Sequence, residues 1–319
     1  MGKVKDLQNK LVENKKVIVI LGPTASGKTG TAVELNKILD IEVISADSRQ
    51  IYKYLDIGTA KPDADELAGV KHHLVDLLEP DVYYSAGQFE KDAEVICENI
   101  FSLIKIPAIV GGSGLYIQAF CEGLFEEQYK KDLSIRNNIE KRLKEEGIDV
   151  LYNELMKVDP ETAEKYPDKN HRRITRALEY YQTTGTKFSL AQKKFQKEKE
   201  YDCISFGIKT DREELYEKIN KRAEWMWKNG LIAETQRVLN MGFSPELNAL
   251  NTVGYKECIA YLYGDMNEEE ALEKMKTNTR RYAKRQITWF RRFDDIIWFS
   301  GSKTEIAEKI VEKLIDLYL

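Results

Sequence analysis

Long apolar runs are missing from this 319-residue chain, and no stretch approaches the roughly 18 residues that a membrane-spanning helix requires. A helical membrane protein is therefore not expected. Cysteine and histidine are scarce. Cys97, Cys121, Cys203 and Cys258 show no C-x-x-C spacing, and with His72, His73 and His171 they form no zinc-site pattern. None of the three histidines has a triad-like setting, so a nucleophile elbow is excluded as well. Met1–Lys16 is polar and charged and lacks the apolar core of a signal peptide. With unpaired cysteine usage, this leads us to expect a cytoplasmic enzyme. One last absence is local. Lys274–Arg292 holds eight basic residues (Lys274, Lys276, Arg280, Arg281, Lys284, Arg285, Arg291 and Arg292) and no acid, in a chain whose net charge is −4.

What is present begins with Gly22-Pro23-Thr24-Ala25-Ser26-Gly27-Lys28-Thr29, directly after the apolar run Val17–Leu21 and before the helical-looking Thr31–Leu39. This is G-x-x-x-x-G-K-T in a strand–loop–helix setting. Glycines allow a tight loop whose N–H groups turn inward on an anion, and the helix adds its positive end. Lys28 supplies a mobile charge, and the Thr29 hydroxyl can hold Mg²⁺. A ligand carrying a di- or triphosphate is expected here. The loop does not say whether the phosphate is transferred, hydrolysed or expelled.

Strand-like segments at Val17–Leu21, Ile41–Ser45, Leu74–Leu77 and Ile106–Gly111, spaced by helix-length stretches such as Phe89–Ile104, predict an α/β fold. The expected architecture is a P-loop doubly wound, mostly parallel sheet with its site at the strand carboxyl ends. After Phe125 the chain turns charged and helical, and residues 128–199 read as a helical insertion domain between core segments 1–127 and 200–319. Cys203–Lys209 returns to the sheet. Helices fit Arg212–Asn229 and Leu231–Met241, and Ile296–Ser300 fits a last edge strand.

Asp47 follows the second strand and could be a helix N-cap, a secondary Mg²⁺ ligand or a general base. Asp56–Pro62, taken alone, reads as a turn-rich surface loop. Ser113, after Gly111-Gly112, is either a plain N-cap or a hydroxyl offered to a ligand. On a helical wheel the arginines and Lys284 of the basic run occupy one sector of roughly 140°. Tyr282, Gln286, Trp289, Phe290 and Phe293 fall on the adjoining sector, which should pack on the core. Either the basic face is simply solvated or it binds a polyanion; unrelieved self-repulsion favours the polyanion. A second cluster, Arg172-Arg173-Ile174-Thr175-Arg176, lies in the insertion, so a clamp on RNA is expected.

Together, several segments resemble the tRNA dimethylallyltransferase (tRNA isopentenyltransferase) family over nearly the whole chain. They are Gly22–Thr29, Asp47–Gln50 with Ile51-Tyr52, Asp56–Pro62, Tyr84–Ala86, Val110–Tyr116, Arg173–Glu179, Asn251–Lys256 and Lys284–Arg291. One departure is Ser113, where the family usually has Thr. The resemblance implies transfer of a dimethylallyl group from its diphosphate to N6 of adenosine 37, beside the tRNA anticodon, with Mg²⁺ at Thr29. It implies Asp47 as general base, Ser113 as donor to the departing oxygen and Arg222 as a diphosphate ligand. It also implies an anticodon stem-loop held by Asp47, Ser48, Arg49, Gln50, Arg172, Arg173, Arg176, Asn251, Gly254, Tyr255, Lys256, Lys284, Arg285, Gln286, Trp289 and Arg291. A monomer is expected. A nucleotide or small-molecule kinase on the same fold is the rival, but it gives no reason for two arginine clusters.

Overall fold

A computed structural model describes residues 2–123, 133–194 and 201–319. The chain separates into two compact units, Met1–Glu122 with Lys199–Leu319, and Gly123–Glu198. The expected boundaries at 127/128 and 199/200 lie outside the described residues.

The first unit begins α1 (Gly2–Glu13), β1 (Lys16–Leu21), α2 (Lys28–Asn36), β2 (Ile41–Ala46), α3 (Ala64–Gly69), β3 (His72–His73), α4 (Ala86–Ser102), β4 (Ile106–Gly111) and α5 (Gly114–Glu122). The second unit is helical: α6 (Leu133–Glu146), α7 (Ile148–Val158), α8 (Pro160–Glu164), α9 (His171–Thr184) and α10 (Phe188–Lys194). The first unit resumes with β5 (Asp202–Ile208), α11 (Arg212–Met226), a π-helical turn at Trp227–Leu231, α12 (Ile232–Asn240), α13 (Tyr255–Leu262), α14 (Glu268–Phe290), β6 (Ile297–Phe299) and α15 (Lys303–Tyr318).

All strand pairs are parallel, in the order β3-β2-β4-β1-β5-β6. Strands β2 and β4 are buried along their whole length, as β1 is from Val17 on. That is why β1 and β4 read as continuous apolar runs rather than alternating ones, while β2 carries the buried polar residues Glu42 and Ser45. Strand β1 lies between β4 and β5, so its loop to α2 leaves the middle of the carboxyl edge. One core cluster joins Leu7 and Leu11 of α1, Ala32 and Leu35 of α2, sheet residues such as Ile18, Ile20 and Phe206, and Ile306, Ile310 and Leu314 of α15. Each such aliphatic side chain stabilises the fold by about 1.5–3 kcal/mol.

One expectation needs correction. The strand expected at Leu74–Leu77 is instead the two-residue β3, because Leu74 and Asp76 take φ of 59° and 55°. A left-handed backbone cannot continue a strand. The expected break at Asn229-Gly230 is present: Asn229 (φ −105°, ψ 24°) and Gly230 (φ 113°, ψ 8°) leave helical geometry and kink the chain between α11 and α12.

The second unit has its own core of Ile139, Leu151, Leu155, Ile174, Leu178 and Phe188, among others. Its buried Asp159 accepts hydrogen bonds from Thr162 N and Ser189 Oγ on one oxygen, and from Thr162 Oγ1 and Ser189 N on the other. Burial opposes its charge, but these four donors outweigh it and hold the carboxyl below its usual range.

Candidate active-site cleft

The β1–α2 loop has the backbone its sequence demands. Gly27 sits at φ 90°, where L side chains are strained, and Thr31 N–H closes back on Gly27 O at 3.0 Å. Lys28 Nζ rests on Pro23 O at 2.8 Å. Its ammonium is pushed down to about 8, by burial first and by Arg222 second, against the pull of Asp47. Ser26 Oγ is buried without a hydrogen-bond partner among the described residues. A loop that carries Lys28 at the start of a helix is suited to an anion.

A cleft of about 400 Å³ opens in front of the loop. Thr24, Ala25, Gly27, Lys28, Thr29 and Gly30 form one wall, while Gly22, Pro23 and Ser26 lie buried behind it. Asp47 enters from the end of β2 and Val110–Gly112 from the end of β4. Helix α11 contributes Lys218 and Arg222, and α14 contributes Tyr282 and Gln286, each pair one helical turn apart on one face. Lys61 and Lys303 complete the rim, giving five cations against the single carboxylate of Asp47.

Asp47 Oδ1 accepts the N–H of Arg49 at 2.9 Å and of Gln50 at 3.4 Å, so it does cap the following turn. No hydrogen bond to Oδ2 is found among the described residues. Ser113 follows the cleft residue Gly112 and precedes α5. Its backbone is fixed by Ala46 O, Tyr116 N and Ile117 N, but its hydroxyl has no partner among the described residues, so it is not spent on capping.

The Asp56–Pro62 segment is no free surface loop. Glu234 of α12 is buried at 3% exposure and grips Asp56 N and Ile57 N with Oε2 (3.0 and 2.9 Å) and Gly58 N with Oε1 (3.1 Å). Tyr255 OH donates to the same Oε1 at 2.6 Å. From the other side Gln50 Nε2 holds Ala60 O at 2.8 Å. These bonds set Thr59, Ala60 and Lys61 on the cleft wall.

Burial corrects three RNA-contact expectations, at Gly254, Tyr255 and Gln286. Tyr255 is fully buried, with its ring where a Gly58 side chain would otherwise stand, and Gly254 is buried beside it. Gln286 is buried too. Its Oε1 accepts from Thr24 N at 2.8 Å and its Nε2 donates to Gly112 O at 2.9 Å, pinning the phosphate loop to the end of β4. Gly112 and Gly114 leave room for Gln286 and Trp289 of α14. Tyr255 therefore supports the site from behind, and Gln286 ties two parts of the cleft wall together.

On α14, Arg281, Lys284 and Arg285 are exposed, as are Arg291 and Arg292 just beyond it, while Ala283, Gln286 and Phe290 are buried. Lys276 departs from the expected basic face. It is buried and paired with Glu224 at 2.8 Å and Glu273 at 2.6 Å. Tyr282 departs from the expected apolar stripe by lining the cleft. Its phenol is raised to about 12, mainly by desolvation and next by Asp47. Lys284 and Arg291 also edge a second groove of about 620 Å³, with Leu215, Tyr216, Ile287 and Trp298 among its lining residues. Asn251 and Lys256 are exposed near the start of α13, while Ser48, Arg49 and Gln50 are half-buried, with Arg49 Nη2 donating to Asn248 Oδ1 at 3.3 Å. In the second unit Arg172, Arg173 and Arg176 project from the first turns of α9, with Arg173 over the Tyr166 ring at 5.0 Å.

Among the described residues no group of three or more His, Cys, Asp or Glu could hold a metal ion. Among the oxygen-bearing side chains that line the cleft, the Thr29 hydroxyl and the Asp47 carboxylate are the pair suited to such an ion. Such a sparse set fits Mg²⁺, which keeps several waters and binds through one or two protein ligands plus phosphate oxygens.

Sheet order and cleft together define a P-loop α/β protein with a cation-lined site at the carboxyl edge of its sheet. Comparison with known proteins narrows the class. A family model described as IPP transferase matches residues 50–293, and one described as isopentenyl transferase matches residues 15–80. A tRNA dimethylallyltransferase of Carboxydothermus hydrogenoformans is 44% identical, with 95% of this chain and 97% of that protein covered. The corresponding protein of Acetivibrio thermocellus is 42% identical over 93% of this chain and 96% of its own length. Among solved structures, the tRNA isopentenylpyrophosphate transferase of Bacillus halodurans superposes with a TM-score of 0.71 at 36% identity, covering 95% of this chain and 97% of that one. A eukaryotic dimethylallyltransferase acting on tRNA gives a TM-score of 0.76 at 30% identity, covering 92% and 75%. The chain belongs to the IPP transferase family.

Proposed function

We propose that the protein transfers a dimethylallyl group from dimethylallyl diphosphate to N6 of adenosine 37 in tRNA and releases diphosphate. The observation that carries this reading is a half-committed carboxylate, Asp47, sharing one cleft with a phosphate loop and five cations. The relatives named tRNA dimethylallyltransferase support it.

The exocyclic amine of adenine is a weak nucleophile because its lone pair is delocalised into the ring. Two aids are needed. As the N6–C1 bond forms and the C1–O bond breaks, the electron pair departs on the diphosphate oxygen. Loop N–H groups, Lys28 and Arg222 take up that charge, and Ser113 donates to the departing oxygen. The N6 proton passes to Asp47 Oδ2, an aid typically worth ~10²–10⁴ in rate. Mg²⁺ bound through Thr29 and phosphate oxygens would add positive charge at the leaving group.

The target base must leave its stack to enter the cleft. Arg49, Asn251, Lys256, Lys284, Arg285 and Arg291 of the sheet unit are assigned to the anticodon stem-loop. The helical unit, through Arg172, Arg173 and Arg176, is assigned to gripping the same RNA. The reaction is placed in the cytoplasm and on a monomer. No helix among the described residues is long and apolar enough to cross a membrane.

The test compares dimethylallyl transfer to an anticodon stem-loop, dimethylallyl transfer to AMP, and phosphate release from ATP. Transfer to the stem-loop alone is expected. Phosphate release from ATP without prenyl transfer would return the protein to the kinases.

A further inference from the structure

The geometry points to Lys303 as a diphosphate-binding residue, its exposed side chain lying over Gly30 at the cleft rim. This inference rests on the diphosphate reading of the cleft. Lys303 lies beyond residues 15–80 and 50–293, the stretches that the family models match.

Among the cleft cations, Lys61 is held between Asp56 and Asp76 at 2.6 Å each, and Lys218 pairs with Glu214 at 2.6 Å. Lys303 has no ion-pair partner among the described residues, although it lines the cleft. Its position is not an accident of a loose side chain. It is the first residue of α15, capped by Ser302, whose Oγ accepts from Glu305 N while Glu305 Oε2 accepts from Ser302 N at 2.7 Å. Ile306, Ile310 and Leu314 fasten that helix into the same core cluster as Ala32 and Leu35 of α2. The start of α15 is thereby held against the start of α2, where the phosphate loop ends.

The side chain then runs across two glycines. A Cβ on Gly27 would stand 3.8 Å from Lys303 Cγ and 3.9 Å from Cε. A Cβ on Gly30 would stand only 2.5 Å from Nζ and Cδ and 2.6 Å from Cε. Gly27 is needed for its backbone, at φ 90°. Gly30 has no such need. It lies inside α2, where glycine loses more backbone entropy than alanine and weakens the helix. Room for the Lys303 side chain accounts for a glycine there. The ammonium ends beside the first turn of α2, the turn whose free N–H groups face a bound phosphate. A lysine suits this place because its compact charge on a flexible stem binds phosphate from one side without a fixed fork. Lys28, Arg222 and Lys303 would surround the diphosphate before transfer and after release.

The test titrates inorganic diphosphate into the full chain and three variants. Lys303→Met keeps the stem and removes the charge. We expect it to weaken binding about tenfold, the size of one charge-assisted hydrogen bond. Gly30→Ala should weaken binding similarly, since its methyl displaces the flexible end of Lys303. Combined with Lys303→Met, Gly30→Ala should cost nothing further, and it should raise the melting temperature because alanine suits the helix better. Affinity for the anticodon stem-loop should stay within about twofold. Unchanged diphosphate affinity in Lys303→Met, or losses that simply add in the double variant, would overturn the inference. Lys28→Ala separates the two levels. If it too leaves diphosphate binding intact, the reading of the cleft fails and not the role of Lys303 alone.

Discussion

In the helical unit, buried Asp159 accepts four hydrogen bonds from Thr162 and Ser189; in the sheet unit, buried Glu234 also accepts four, from Asp56, Ile57, Gly58 and Tyr255. Both satisfy the cost of burying a charge in the same way. Their consequences differ because of what the donors belong to. Asp159 joins α8 to the start of α10 and so holds a helix junction. Glu234 holds three successive N–H groups of a segment whose next residues line the cleft. Asp47 stands apart from both, with Oδ1 engaged and Oδ2 uncommitted among the described residues. Saturated carboxylates build; a half-saturated one is left for chemistry.

That distinction breaks most sharply at Asp47. Asp47→Asn keeps the acceptor for Arg49 N and Gln50 N but cannot take a proton. Single-turnover rate on an anticodon stem-loop should fall by ~10²–10⁴ with both substrates still bound. Near-normal chemistry with a higher Mg²⁺ demand would instead make Asp47 a metal-shell residue. Next in size is Asp159→Ala, which orphans four donors. It should destabilise the helical unit by about 3 kcal/mol, counting roughly 1–3 kcal/mol for a buried unpaired group with partial relief by water. Hydrogen exchange in α8 and α10 reads this directly, and diphosphate affinity should not move.

Lys28 sharpens the comparison from the cationic side. Its ammonium titrates near 8 in the free protein, and diphosphate favours the charged form. Affinity should therefore be flat below pH 8 and fall about tenfold per unit above it, until the pKa of the bound state is reached. Calorimetry in buffers of different ionisation heat should show proton uptake on binding above pH 8. The stability of the free protein moves the other way. Between pH 8 and 10.5 the unfolded chain holds the extra proton, so the contribution of Lys28 to stability rises with pH across that window.

Glu234→Gln is expected to act more mildly. The amide must turn its NH₂ toward one of the two oxygen positions. Facing Tyr255, it can be accepted by the phenol, but Gly58 N–H then loses its partner. Facing Asp56 and Ile57, it opposes two donors at once. Turnover should drop several-fold with a rise in the Michaelis constant for the allylic donor, because the 56–61 segment loosens. A change in melting temperature with no kinetic change would place Glu234 with Asp159 as a purely structural group.

How far the sequence revealed this follows from the range of the interactions involved. Strands β1 and β4 were legible because each is one apolar run. The phosphate loop was legible because its backbone needs its own glycines. Strand β3 was misplaced because the left-handed turns at Leu74 and Asp76 interrupt an apolar segment that composition alone favours. Tyr255 and Gln286 enter the RNA-contact set only through the family resemblance, and the helical wheel already places Gln286 on the core-facing sector; what the sequence does not show is their partners, Glu234, Thr24 and Gly112, which lie on other elements. Lys276 looked like part of the basic face until Glu224 of α11 met it. Lys303 carried no signal, since a lysine opening a C-terminal amphipathic helix is ordinary without Gly30 beside it.

The smallest expected effect tests the Ser113 hydroxyl. Serine and threonine are both good residues at a helix start, so Ser113→Thr should leave stability nearly unchanged. The backbone around it is already tied to Ala46, Tyr116 and Ile117, so an added methyl acts mainly on the side chain. A β-branched residue has fewer accessible rotamers than serine. If the hydroxyl donates to the departing oxygen, narrowing its positions should leave single-turnover rate unchanged or raise it by up to about twofold, since less freedom is lost at the transition state. The donor's Michaelis constant should stay put. A marked slowing would mean that the methyl obstructs the allylic chain and that serine is here for space rather than for its hydroxyl. Ser113→Ala distinguishes the two, because it opens the same space and removes the donor.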